Sequence, residues 1–338
     1  MKYNPALDGV RAVAVLAVVG YHCEAPFLIG GHIGVDVFFV LSGFLITSIL
    51  LSELAETSRI SLRRFYWRRA LRLWPALLIM LMAYLAAVPI VFPDTNGLLD
   101  VLVSGFYLSD YTRAFWGFPI YLSHTWSLSV EEHFYLLWPV LLTFLWRFAG
   151  QRIALILAIA FIVATLWRAV DLAVWLDPYR TYYRFDTRMS GLILGSLTAV
   201  QPWRPSRSTA ALGVIAVAVL AVLAASLPIL SVASFTWAGV AIDIASAALV
   251  LALAGDRQTY LHAALSWRPP VYIGCISYSI YLWHYPIARA LRDHLDATPT
   301  FLIVAPLTLA IAALSFEFVE KPLREMRKRQ PAAVREAR

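Results

Sequence analysis

Stretches of about twenty apolar residues recur along almost the whole chain. Each is long enough to cross a hydrocarbon layer of about 30 Å as a helix. The 338 residues are 60% hydrophobic and only 14% charged, against about 45–50% and about 25% in a soluble domain. That excess is too large for a bigger core, so the solvent of this chain is lipid. The fold class expected is all-α integral membrane, with no room left for a soluble domain of useful size.

Ten spans are predicted, over about 7–26, 33–53, 73–93, 126–146, 153–175, 187–201, 209–228, 235–254, 271–291 and 299–319. An eleventh apolar stretch, 97–110, is short and holds Asp100, Ser104 and Ser109. Basic loops are retained on the cytoplasmic side. With the N-terminus inside and 97–110 not crossing, most loop Lys and Arg fall inside. These include the six Arg between 59 and 72, Arg204, Arg207, Arg257, Arg268 and the basic tail. Arg113, Arg180, Arg184, Arg188 and Arg292 fall outside. If 97–110 crosses, every later loop flips and the bias disappears. Dropping 187–201 instead of 97–110 keeps the bias, but it sends Glu131 and Glu132 to the inner side. Costly ionisable groups inside a membrane should share a cavity, so the first arrangement is preferred. It gathers His22, Asp36, Glu131, Glu132 and His284 in the outer part of the membrane. The stretch near 97–110 then reads as a re-entrant or periplasm-facing hairpin, and both termini as cytoplasmic. The domain expected is 1–325, followed by a disordered basic cytoplasmic tail, 326–338. No signal peptide is evident.

The net charge of +7 is spread over short loops, which argues against nucleic-acid binding. Cys23 and Cys275 are the only cysteines, so there is neither a disulfide framework nor zinc spacing, and no metal is expected. A GxSxG elbow and a glycine-rich phosphate loop are also missing.

In the first span Arg11 and His22 are eleven residues apart. That is nearly three full turns, so the two side chains share one helix face, about 16 Å apart along the axis. A histidine is suited to take a proton from an alcohol near neutral pH. The competing reading makes His22 an interfacial cap and Arg11 a snorkelling cation. Between 59 and 72, Arg59, Arg63, Arg64, Arg68, Arg69 and Arg72 are interleaved with Phe65, Tyr66 and Trp67. This is either an interfacial basic helix held by aromatics and anionic lipid, or a phosphate site, since guanidinium forks bind phosphate in bidentate fashion.

The second span opens with Gly34-Val35-Asp36 and carries Ser42 and Gly43, small enough for close helix approach. The fourth opens with Trp126-Ser127-Leu128-Ser129-Val130-Glu131-Glu132. The adjacent carboxylates point about 100° apart on a helix, so at most one faces a given cavity and the other is a candidate helix-dipole contact. Tyr281-Leu282-Trp283-His284 in the ninth span offers further cavity residues, or a belt at the outer interface.

Together these runs resemble the acyltransferase 3 membrane family. The resemblance rests on Leu7-Asp8-Gly9-Val10-Arg11 to His22, the block Gly34 to Phe44, Phe65 to Pro75, Trp126 to Tyr135, Tyr281 to His284 and Phe318-Val319-Glu320-Lys321-Pro322. It covers roughly 5–325. It implies ten spans in a bacterial inner membrane and acylation of a carbohydrate or glycolipid, with acetyl-CoA or another acyl-CoA as donor. It makes His22 the catalytic base, Arg11 a contact of the acyl-CoA, and Arg69 and Arg72 an Arg-x-x-Arg site for the CoA phosphates. Some members carry a C-terminal hydrolase-like domain; this sequence ends in a basic tail, and transfer is expected to be completed within the membrane domain.

The mechanism expected has Arg68, Arg69 and Arg72 hold the CoA phosphates, with the pantetheine arm running past Arg11. His22 deprotonates the sugar hydroxyl, and one of Asp36, Glu131 or Glu132 fixes its tautomer, as a carboxylate does in acyl-transfer triads. Glu131 and Asp36 are entered beside His22 as catalytic candidates, and Glu132, His284, Tyr281 and Ser42 as cavity residues. A covalent acyl-His variant also fits. The alternative class is a transporter or flippase for a lipid-linked saccharide, which would use the same cavity without CoA. Membrane lipid is the remaining partner.

Overall fold

A computed structural model describes residues 3–201, 207–254 and 259–323. The basic tail, Arg204 and Arg257 lie outside the described residues. Every element is helical, and no strand occurs among the described residues.

The chain opens with α1 (Pro5–His22), started by Asn4, whose side chain accepts from the Ala6 amide, and by Pro5 in the first turn. Next come α2 (Gly34–Thr57) and α3 (Leu62–Val91), separated by Ser58 in the left-handed region, φ 57°. The stretch near 97–110 folds as two short helices, α4 (Gly97–Gly105) and α5 (Ser109–Trp116), broken at Tyr107 with φ 55°. A helix of nine residues is about 14 Å long, less than half a bilayer core. Then follow α6 (Thr125–Phe148), α7 (Ile153–Trp175), α8 (Pro178–Tyr183), α9 (Phe185–Arg188) and α10 (Ser190–Val200). The chain continues through α11 (Arg207–Ser226), α12 (Val232–Phe235), α13 (Trp237–Ala254), α14 (Tyr260–Leu265), α15 (Arg268–Cys275) and α16 (Ser277–Leu291). Last is α17 (Ala297–Ser315), which runs into a π-helical turn, Phe316–Glu320.

Among the described residues six helices are long and apolar enough to cross a membrane by length and composition, including α2, α3, α13 and α17. The chain is a multi-pass membrane protein. α1, α6 and α16 are not among those six, and they are the helices that carry Arg11, His22, Glu131, Glu132 and His284. Two predicted spans differ in form. The one at 187–201 is helical as α10 for only eleven residues. The one at 271–291 is divided at Ile276 into α15 and α16.

The layering follows from burial. In α2, 72% of the apolar window is buried inside the protein, against 17% in α11. α2 therefore stands at the centre and α11 faces lipid. The main core joins Val15, Val18 and Val19 of α1 to Phe39 and Ile46 of α2 and to Trp126, Val130 and Phe134 of α6. Small residues set the closest crossings. A Cβ at Gly274 would collide with the Asp8 carbonyl of α1, and one at Gly43 with the Leu192 carbonyl of α10. Gly274→Ala is expected to push α15 off α1 and cost about 1–3 kcal/mol, the usual penalty of overpacking. Thermal unfolding in detergent reads this directly; an unchanged midpoint would mean the crossing is looser than the backbone places it.

Among the buried ion pairs, two tie α2 and α13 to the elements around them. Arg188 donates to Asp36 Oδ1 at 2.7 Å, joining α9 to α2. Arg168 of α7, 1% exposed, lies 3.9 Å from Asp243 of α13, and Ser190 bonds both side chains. Arg184 and Arg188, expected in an outer loop, are each only 4% exposed.

Candidate active site

His22 closes α1 and is half-buried. Its Nδ1 lies 2.9 Å from Nε2 of His284, on α16 and fully buried. His284 Nδ1 faces two backbone carbonyls, of Tyr281 at 2.7 Å and of Ile280 at 3.2 Å. A carbonyl can only accept, so His284 Nδ1 carries the proton and its Nε2 presents a lone pair. His22 Nδ1 must then donate to that lone pair, which leaves the lone pair of His22 on Nε2. The hydrogen-bond network thus assigns both tautomers. The same contact remains favourable when His22 is protonated, because Nδ1–H still donates. A histidine held in this way can take up a proton at Nε2.

The carboxylates expected beside His22 are engaged elsewhere. Asp36 is held by Arg188. Glu131 accepts from Ser42 Oγ at 2.8 Å and from Tyr135 Oη at 3.0 Å. Glu132 accepts from Arg69 Nε at 2.8 Å. The place given to them in sequence reasoning is taken by His284, which that reasoning had assigned to the cavity wall.

A cavity of about 330 Å³ opens between α1, α2, α3, α6 and α16. Arg11, Arg69, Arg72, Ser127, Glu131 and Tyr281 line it together with the apolar side chains of Phe38, Phe39 and Leu45. Arg11 is braced by Asp8 at 3.1 Å. Arg69 lies over the ring of Tyr135 as well as against Glu132. Ser42 also reaches the lining, whereas Arg68 is exposed and outside it. An i,i+4 step puts Arg68 on the face of Arg64 and Arg72, but Arg69 is the one directed at α6. Tyr281 joins the two regions. Its hydroxyl meets Ser127 at 2.6 Å at the cavity, and its carbonyl accepts from His284 behind His22.

Two further histidines flank the pair. His124 stacks on Tyr285 at 5.0 Å between ring centroids, and Tyr285 meets His22 edge-on at 4.8 Å. His32 meets Tyr21 at 5.3 Å. Sequence reasoning passed over both, although the cost of any polar side chain in a membrane would have flagged them as it flagged His22. Among the described residues no three or more His, Cys, Asp or Glu side chains converge as a metal site would require.

The family model described as an acyltransferase domain matches residues 4–317. The chain belongs to this acyltransferase family. Among similar proteins, the peptidoglycan O-acetyltransferase OatA of Listeria monocytogenes is 34% identical over 349 residues, covering 96% of this chain and 56% of that protein. The O-acetyltransferase OatA of Staphylococcus aureus (strain NCTC 8325) is 35% identical, over 96% of this chain and 58% of its own length. The putative peptidoglycan O-acetyltransferase YrhL of Bacillus subtilis is also 35% identical, over 96% and 55%. The chain therefore spans a little over half the length of these acyltransferase relatives. No solved structure matches it.

Proposed function

We propose that this acyltransferase-family chain is an O-acyltransferase of a bacterial inner membrane, with ten spans and both termini cytoplasmic, that moves an acetyl group from acetyl-CoA to a carbohydrate hydroxyl. The observation that carries the reading is the His22–His284–carbonyl chain, which leaves one lone pair, on His22 Nε2, available to take a proton. Family membership and the O-acetyltransferase relatives support the reaction class.

The cavity fits the donor. Its volume is at the small end of ordinary ligand pockets, suited to an extended arm rather than a whole nucleotide. Arg11, Arg69 and Arg72 in its lining offer guanidinium donors to phosphate, and the apolar lining side chains suit a pantetheine chain. His22 Nε2 takes the proton of the acceptor hydroxyl as its oxygen bonds to the acyl carbon. The carbon–sulfur bond breaks, and His22 returns the proton to the departing thiolate sulfur. Ester and free thiol result.

Two results are expected. In detergent with radiolabelled acetyl-CoA, Arg69→Ala raises KM by about tenfold, the scale of a lost charge-assisted contact, with kcat changed less. His284→Ala lowers kcat by about a hundredfold, the low end of what a positioned base contributes, and leaves KM for acetyl-CoA in place. His284→Gln, whose amide oxygen can accept from His22, restores part of the rate; no such recovery would remove the positioning role. Absence of binding and turnover with every acyl-CoA would replace this reading with transport of a lipid-linked saccharide.

A further inference from the structure

The end of the fold that carries His22 is lined by groups that acyl transfer from CoA leaves unused. Arg113 of α5 donates to the Gly117 carbonyl and lies 5.6 Å from the centre of the Tyr183 ring. Among the described residues it forms no ion pair, and its Nε is buried without a partner. Arg289 of α16 lies over the Tyr121 ring at 5.3 Å and pairs with Asp293 at 3.8 Å, whose side chain is 58% exposed. A contact of that kind contributes little. Arg289 Nε is also buried without a partner. Glu24, just past α1, is turned to Arg292 at 3.6 Å. Two guanidinium groups are thus held at this end, Arg113 within electrostatic reach of Asp100 and Tyr183, and Arg289 beside the exposed Asp293.

Neutral polar groups there are incomplete as well. His124 is 2% exposed, and its Nε2 donates to the Leu282 carbonyl at 3.1 Å. Its Nδ1 therefore holds a lone pair, and that atom is buried with no partner. The phenols of Tyr183 and Tyr285 are within electrostatic reach of each other and of Arg113, and Tyr285 borders His22. Tyr183 and Tyr285 are only 8% and 9% exposed, so they are not members of a lipid-facing aromatic belt. Unsatisfied buried polar atoms are rare in folded proteins and call for a ligand or bound solvent. Here they include two cationic nitrogens and one acceptor, beside aromatic faces and next to the base.

We propose that this end of the fold is the acceptor site, and that it binds a saccharide carrying a negative charge. Arg113 and Arg289 take the anionic group, His124 Nδ1 accepts from a sugar hydroxyl, and Tyr183 and Tyr285 supply the ring faces. The inference rests on the acyl-transfer reading, which makes the hydroxyl beside His22 the acceptor. The anion belongs either to the sugar, as a carboxylate, or to a carrier lipid, as a pyrophosphate; both match a guanidinium fork.

Binding without acyl donor separates the two sources. The purified protein in detergent is titrated with trigalacturonate, with neutral maltotriose and with farnesyl pyrophosphate, and tryptophan fluorescence is followed. One of the two anions is expected to bind about tenfold or more tighter than maltotriose, the scale of one charge-assisted contact. Preference for trigalacturonate assigns the charge to the sugar, and preference for the pyrophosphate assigns it to the carrier. Arg113→Gln abolishes the preference, and Arg113→Lys keeps most of it. Equal binding of all three, no binding of any, or a preference that survives in Arg113→Gln overturns the site. Those outcomes leave acetyl-CoA turnover, measured separately on the same preparation, to stand or fall by itself.

Discussion

Replacing His22 by alanine should abolish acyl transfer from acetyl-CoA, with a loss of about 10²–10⁴-fold, the contribution of a positioned general base. The fold should survive. His22 is half-buried at the end of α1, and its side chain bonds His284 Nε2 at 2.9 Å. Removing it leaves the His284 Nε2 lone pair without its donor, a cost of about 1–3 kcal/mol for one unsatisfied buried acceptor, too small by itself to unfold the bundle. Retained Arg69-dependent binding of acetyl-CoA together with lost turnover is the expected pattern, because the cavity that Arg69 lines does not include His22. Near-normal turnover by the alanine variant would transfer the base role to another group, and the tautomer chain would then serve only structure.

Arg188→Ala should have the largest effect on stability. Arg188 and Asp36 are 3% and 9% exposed at the side chain, and they meet at 2.7 Å. Removing one partner of a buried pair leaves an uncompensated charge and costs about 3–5 kcal/mol. The guanidinium also lies near the rings of Tyr182, at 4.7 Å, and Trp126, at 5.5 Å, so its loss exposes a void among aromatics. A lowered unfolding midpoint in detergent, with part of the loss recovered in the Asp36→Asn, Arg188→Ala double variant, is the expected result. Additive losses in the double variant would mean that the two charges do not depend on each other. Asp36 would then again be available as a functional carboxylate.

Much of the architecture was legible. Apolar runs placed α2, α3, α7, α11, α13 and α17 where the structure has them, because the bilayer fixes the length of a span. The break within 97–110 was also legible, since Asp100 and two serines interrupt a run already too short to cross. The break of the ninth span at Ile276 was not: Gly274 reads as a helix residue until α1 is packed against it. In the site, Arg11, Arg69, Arg72 and Ser42 line one cavity with Glu131 and Tyr281, whereas Arg68 turns outward. A one-residue difference in helix position decided that, and only the direction of α6 fixes it.

The sequence by itself determined the solvent of this chain, the positions of its main apolar helices and its family, because each depends on composition, on local runs and on short motifs. It also marked His22, since an imidazole within an apolar span is costly wherever it lies. The tertiary structure alone decided what holds that imidazole. His284 stands 262 residues away along the chain, and Arg188 is 152 residues from Asp36. A carboxylate at the same membrane depth looked the natural partner, but Asp36 and Glu132 were bonded by arginines and Glu131 by hydroxyls. Partner choice inside a membrane follows from which helix faces meet, and no local pattern encodes that.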